Sequence, residues 1–98
     1  LPISNNGFHS NALIARNANQ IYMGGSDSGT GLNYVIRADL IAGAWTFTDI
    51  SLDGAGNGPS TNIKGFTFDP AGNLITVTDG GIFQIIWDAN GILTFTVT

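Results

Sequence analysis

Residues 65–83 read GFTFDPAGNLITVTDGGIF: two short runs rich in Phe, Thr, Ile and Val, parted by Asp69-Pro70-Ala71-Gly72 and closed by Asp79-Gly80-Gly81. Pro sets φ near −65° at the second position of a turn and Gly accepts positive φ, so each interruption is a turn with a mechanism and each run a short strand. Working outward, the alternation predicts strands over Ile63–Phe68, Asn73–Thr78, Ile82–Trp87 and Ile92–Val97, with Asp88-Ala89-Asn90-Gly91 turning between the last two.

Upstream, Asp53-Gly54-Ala55-Gly56-Asn57-Gly58-Pro59 is the strongest break in the chain. Before it, strands are expected over Asn11–Arg16, Gln20–Met23, Tyr34–Asp39 and Trp45–Ile50. Gly24 and Gly25 are expected to end the second of these, and Ser26–Gly31, all small or polar, to form an exposed loop. Trp45 and Phe47 should share one face of their strand, Thr46 and Thr48 the other.

The halves also match each other. Asn6-Gly7 lies over Asn57-Gly58, Asn17 to Ile21 over Pro70 to Leu74, and Trp45-Thr46-Phe47-Thr48 over Leu93-Thr94-Phe95-Thr96. A period of about fifty residues holding four short strands marks a β-propeller blade, a twisted meander that needs neighbours on both faces. The predicted fold is therefore all-β: two four-stranded antiparallel meanders in one unit of two repeats, about 1–52 and 53–98, with an eight-stranded β-sandwich or small barrel as the alternative.

The 65–83 stretch resembles the blade core of bacterial secreted propellers, including the sialidase-like Asp-box and related repeat propellers. There, a strand ending Phe-Asp-Pro-x-Gly-Asn-Leu leads to one ending Asp-Gly-Gly, then Ile or Val, then Tyr or Phe. Asn17 to Tyr22 and Ala44 to Phe47 resemble the same pattern more loosely. The Asp-box proper, Ser-x-Asp-x-Gly-x-x-Trp, is absent. The resemblance implies blade architecture and an extracellular or cell-surface setting, and it names no chemistry. Two blades do not close a ring, so further blades are expected partners, from copies of this chain or from a longer parent protein. With Leu1 in place of Met, the chain reads as processed or cut from something longer.

Composition narrows the function classes. Fourteen glycines and ten charged side chains suit turns and strands. The net charge of −4, with Arg16, Arg37 and Lys64 far apart in sequence, argues against nucleic acid and anionic membranes as partners. No cysteine is present for a disulfide or a thiolate site.

No catalytic residue is assigned. His9, the one imidazole, has no Cys or Glu to work with anywhere in the chain. Calcium could draw on Asp53 with Asn57, or on Asp27 with Ser26, Ser28 and Thr30, but each set offers a single carboxylate, and Asx turns account for these residues without an ion. Sialidase chemistry needs an arginine triad, and Arg16 and Arg37 fall short of one. The candidate binding residues are Tyr34, Asn33, Asp27, Trp45 and Trp87, because aromatic faces flanked by Asn and Asp stack on sugars and bond their hydroxyls. Packing between blades competes for both Trp and for Tyr22, which leaves Tyr34 as the aromatic expected to be exposed. The expected function is non-catalytic binding or scaffolding, with a glycan as the candidate ligand. The alternative is a piece of a secreted glycoside hydrolase-like propeller whose acids lie in other blades.

Overall fold

A computed structural model describes residues 8–27, 32–51, 62–87 and 93–97 of the chain. Its strands are β1 (Phe8–Asn17), β2 (Gln20–Asp27), β3 (Asn33–Ile41), β4 (Ala44–Asp49), β5 (Ile63–Phe68), β6 (Leu74–Thr78), β7 (Gly81–Trp87) and β8 (Leu93–Val97). They form two antiparallel sheets, each a meander, ordered β1-β2-β3-β4 and β5-β6-β7-β8. The turn between β3 and β4 takes positive φ at Ala42 (52°) and Gly43 (81°), the conformation that two-residue hairpins favour, and Gly72 supplies φ 87° between β5 and β6.

The two sheets share no hydrogen-bonded ladder among the described residues, so the small-barrel alternative is overturned. Closure would require strand pairing at both seams; the sheets meet through side chains instead, most closely where β1 and β2 face β5. Their local irregularities coincide as well. Register slips between Ser10 and Ala12 in β1 and between Ile63 and Gly65 in β5, at the same rung of each meander. A bulge adds a residue that the partner strand does not match, so its recurrence is a detailed point of likeness between the halves.

One expectation fails. Gly24 and Gly25 do not end β2, which runs on to Asp27, and β1 begins correspondingly early at Phe8, paired with Asp27. Ser26 and Asp27 are thus strand residues, and Asp27 is only 1% exposed; Ser28–Gly31 lie outside the described residues. The glycines are there for close approach. A Cβ on Gly24 would sit 2.5 Å from Ile63 Cγ2 and 2.6 Å from Phe66 Cζ in the other sheet, and one on Gly25 would collide with the His9 carbonyl.

Pairing register assigns the faces. On one face of the first sheet Ile14, Tyr22 and Val35 meet Phe66, Phe68, Leu74 and Ile85 of the second, with Ile50 and Ile63 completing the core. Those four residues of the second sheet stand at the rungs that Leu13, Ala15, Ile21 and Ala38 occupy on the opposite face of the first. The two sheets therefore pack by unlike faces. That opposite face carries Trp45 and Phe47 as well, with Thr46 and Thr48 turned to the core side, as the alternation predicts. Leu13, Trp45 and Phe47 are exposed there, while Ile36 and Ala38 are buried.

Candidate functional site

The five candidate binding residues do not converge. Asn33 and Tyr34 open β3, opposite Ser26 and Gly25, and both are half-buried. Asp27, at the end of β2, is buried and donates its backbone N–H to the Leu32 carbonyl at 3.0 Å. Trp45 pairs with Leu40 at the far end of the sheet and is 41% exposed, so it is Trp45 rather than Tyr34 that stands out from the surface. Leu40 lies six residues beyond Tyr34 on β3, about 20 Å at the usual rise per residue, so no single sugar ring spans Tyr34 and Trp45. Trp87 ends β7, where its backbone pairs with Leu93; its side chain lies outside the described residues.

His9 is an exposed residue of β1, paired with Ser26. For calcium, Asp53 and Asn57 lie outside the described residues, and among the described residues no three of His, Cys, Asp and Glu gather closely enough to hold a metal ion.

A polar cluster that sequence reasoning missed lies at the end of the first sheet nearest the β5–β6 turn. Arg16 occupies a second register slip in β1. Its Nε donates to Gln20 Oε1 at 2.8 Å, its Nη1 crosses to the other sheet to donate to the Gly72 carbonyl at 2.9 Å, and its Nη2 lies 3.4 Å from Tyr22 Oη. The guanidinium sits 4.5 Å from the Phe68 ring centre, over a Tyr22–Phe68 pair that meets edge to face at 6.0 Å. Tyr22 O–H donates to Gln20 Oε1 at 3.2 Å, Gln20 Nε2 donates to Asp39 Oδ1 at 2.8 Å, and Arg37 Nε donates to Asp39 Oδ2 at 2.7 Å. Both members of that ion pair are 21% exposed.

The second sheet repeats the pattern with other residues. Asp69, Asn73 and Gln84 stand at the rungs of Arg16, Gln20 and Arg37. Asp69 accepts from the Asn73 backbone N–H at 2.8 Å, from Asn73 Nδ2 at 3.1 Å and from Gln84 Nε2 at 2.9 Å. The donors in both clusters already have acceptors. Such an arrangement fixes turns and clamps sheets together, and it offers neither a nucleophile nor two carboxylates facing a common substrate space.

The Asn73 backbone N–H, helped by the Asn73 and Gln84 side chains and opposed by burial, holds the Asp69 carboxyl below its ordinary value. A carboxyl whose pKa is lower in the folded chain stabilises the fold at pH above its unfolded pKa, and that contribution is lost as pH falls through the folded pKa. Urea unfolding midpoints should therefore fall on acidification from pH 7 towards about pH 3, and fall less steeply in Asp69→Asn; equal slopes in the two proteins would show that Asp69 does not contribute.

Gln20 and Tyr22, and likewise Arg37 and Asp39, are spaced by two and so share a sheet face, a signal present in the sequence. The reach of Arg16 to Gly72 depends on how the sheets pack and carries no local signature. No family model, curated protein or solved structure matches the chain.

Proposed function

We propose that this chain supplies two blades of a β-propeller and serves as a non-catalytic scaffolding and binding unit of the extracellular kind that residues 65–83 resemble. The observation that carries the reading is the packing of two like meanders by unlike faces. Blades around a propeller axis meet in this way, each presenting one face forward and the other back, whereas a two-fold sandwich of repeats would join like to like. The recurrence of the bulge and of the polar cluster at equivalent rungs supports the same reading.

Engaged carboxylates support the non-catalytic part. Asp39 is held by Arg37 and Gln20, and Asp69 by Asn73 and Gln84. A glycan role rests on Tyr34 and Asn33, since Asp27 is buried and Trp45 lies at the other end of the sheet.

Two measurements test the reading together. Proton NMR should give cross-peaks between the Tyr22 and Phe68 rings, and a panel of chromogenic glycosides should show no turnover above buffer. Formed sheets without the ring contact would overturn the blade pairing. Hydrolysis that disappears in Asp39→Asn or Asp69→Asn would overturn the non-catalytic assignment.

A further inference from the structure

We infer that two copies of this chain join edge to edge through β4, the strands pairing antiparallel about a two-fold axis at Phe47, so that the first sheet of one copy continues into the first sheet of the other. Pairing at this edge depends on the β3–β4 hairpin and not on how the two sheets of one chain pack, so it stands or falls separately from the blade reading.

β4 is the last strand of its sheet, and its backbone is only half used. Ile50 donates its backbone N–H to the Val35 carbonyl at 2.9 Å. In an antiparallel pair the hydrogen-bonding direction alternates along the strand, so Thr48, Thr46 and Ala44 turn their backbone groups towards β3, while Trp45, Phe47 and Asp49 turn theirs outward. Among the described residues nothing bonds these three outward N–H groups. Ile36 and Ala38, farther in on the face that Trp45 and Phe47 share, are buried, yet every residue of β4 except Thr48 is exposed.

Edge strands are ordinarily blunted against pairing by bulges, by Pro, or by Lys and other charges along the strand. β1 has two register slips, and β5 has one and carries Lys64. β4 pairs with β3 without a slip from Ala44 to Asp49 and contains no Pro, Lys or Arg. Its one charge, Asp49, stands at its last position. Such an edge accepts another strand through its main chain.

A second β4 fits it in one register. Directly opposed residues of an antiparallel pair share a face; with the axis at Phe47 the two phenylalanines oppose each other, Trp45 opposes Asp49 of the second copy, and Thr46 opposes its Thr48. All three outward residues then enter the new ladder. Moving the axis to Trp45 or Thr46 sets Phe47 or Asp49 against Gly43 in the turn, moving it to Thr48 sets Trp45 against Ser51 beyond the strand, and moving it to Asp49 opposes two carboxylates. In the Phe47 register the carboxylates lie four residues apart along the ladder, about 13 Å, farther than the roughly 8 Å over which salt screens charge. Aromatic rings meet at the seam, and each indole, an N–H donor, faces a carboxylate acceptor. A contact of this two-fold kind consumes both free edges at once, so assembly stops at two copies.

Light scattering and native mass spectrometry of the 98-residue chain test this. The wild type should weigh twice the 10.2 kDa of one chain. Phe47→Lys and Phe47→Asp each oppose like charges at the axis and should raise the dimer dissociation constant at least roughly tenfold, whereas their equimolar mixture should dimerise more tightly than either alone, because opposite charges then meet. A monomeric wild type at high micromolar concentration overturns the inference, as does a mixture no tighter than its components. If that monomer binds a free peptide of residues 44–49, the edge receives a foreign strand instead of a second copy. A cross-link reads the same register without adding charge. The chain has no cysteine of its own, and a hydrogen-bonded antiparallel pair sets its Cα atoms about 5.5 Å apart, inside the disulfide range of about 4.4–6.8 Å. Phe47→Cys should therefore form a covalent dimer on mild oxidation, while Leu13→Cys, also at an exposed position but on β1, should not. Equal cross-linking of the two overturns the pairing.

Discussion

Tyr22→Ala should lower the free energy of unfolding by about 3–5 kcal/mol, the range for emptying a large buried aromatic site. Tyr22 is 1% exposed, and its ring makes the edge-to-face contact with Phe68 that joins the two sheets. Its hydroxyl also links Gln20 to Arg16, so truncation removes apolar burial, an aromatic pair and a hydrogen-bond bridge at once. Tyr22→Phe separates these contributions. It keeps the ring and loses only the hydroxyl, which should cost about 0.5–1.5 kcal/mol. With total stability for a domain of this kind on the order of 5–15 kcal/mol, the alanine variant should be barely folded at 37 °C while the phenylalanine variant stays cooperative. Urea unfolding followed by tyrosine and tryptophan fluorescence measures both. An alanine cost below about 1 kcal/mol would mean that the sheets do not depend on this contact.

How much of this was legible in the sequence divides along the line between local and tertiary physics. The turns at Asp69-Pro70-Ala71-Gly72 and Asp79-Gly80, and the alternation of Trp45 and Phe47 with Thr46 and Thr48, follow from φ preferences and from the period of a strand, both written within a few residues. The four-strand count of each half followed from them. The candidate site fared differently. Tyr34 and Trp45 were grouped by residue type, and their separation became visible only once the β3–β4 register was known. Arg16 looked isolated because its partners Gly72 and Phe68 belong to the second sheet and its first turn, far along the chain. Gly24 and Gly25 were misread for the same reason: glycine ends strands in local terms, yet here it marks two places where the chain is approached closely. The approach comes from Ile63 and Phe66 in one case and from the β1 backbone in the other.

That distinction makes the two glycines a matched experiment. Gly24→Ala places a methyl group against side chains of the second sheet, with Ile63 Cγ2 at 2.5 Å and Phe66 Cζ at 2.6 Å, whereas Gly25→Ala places one against the His9 carbonyl and Ser10 Cα. Both should destabilise by about 1–3 kcal/mol or more, as overpacking does. They should respond differently to relief. Trimming Ile63 to Ala removes the Cγ2 methyl that stands beside the new Cβ at position 24, so Gly24→Ala and Ile63→Ala together should cost less than the sum of the single changes, by roughly 0.5–3 kcal/mol of coupling. Gly25→Ala in the same background should be additive within about 0.5 kcal/mol, because backbone atoms cannot move out of its way by changing rotamer. A coupling near zero at position 24 would mean that β2 does not abut Ile63 of β5, and the packing of the two meanders by unlike faces would have to be redrawn.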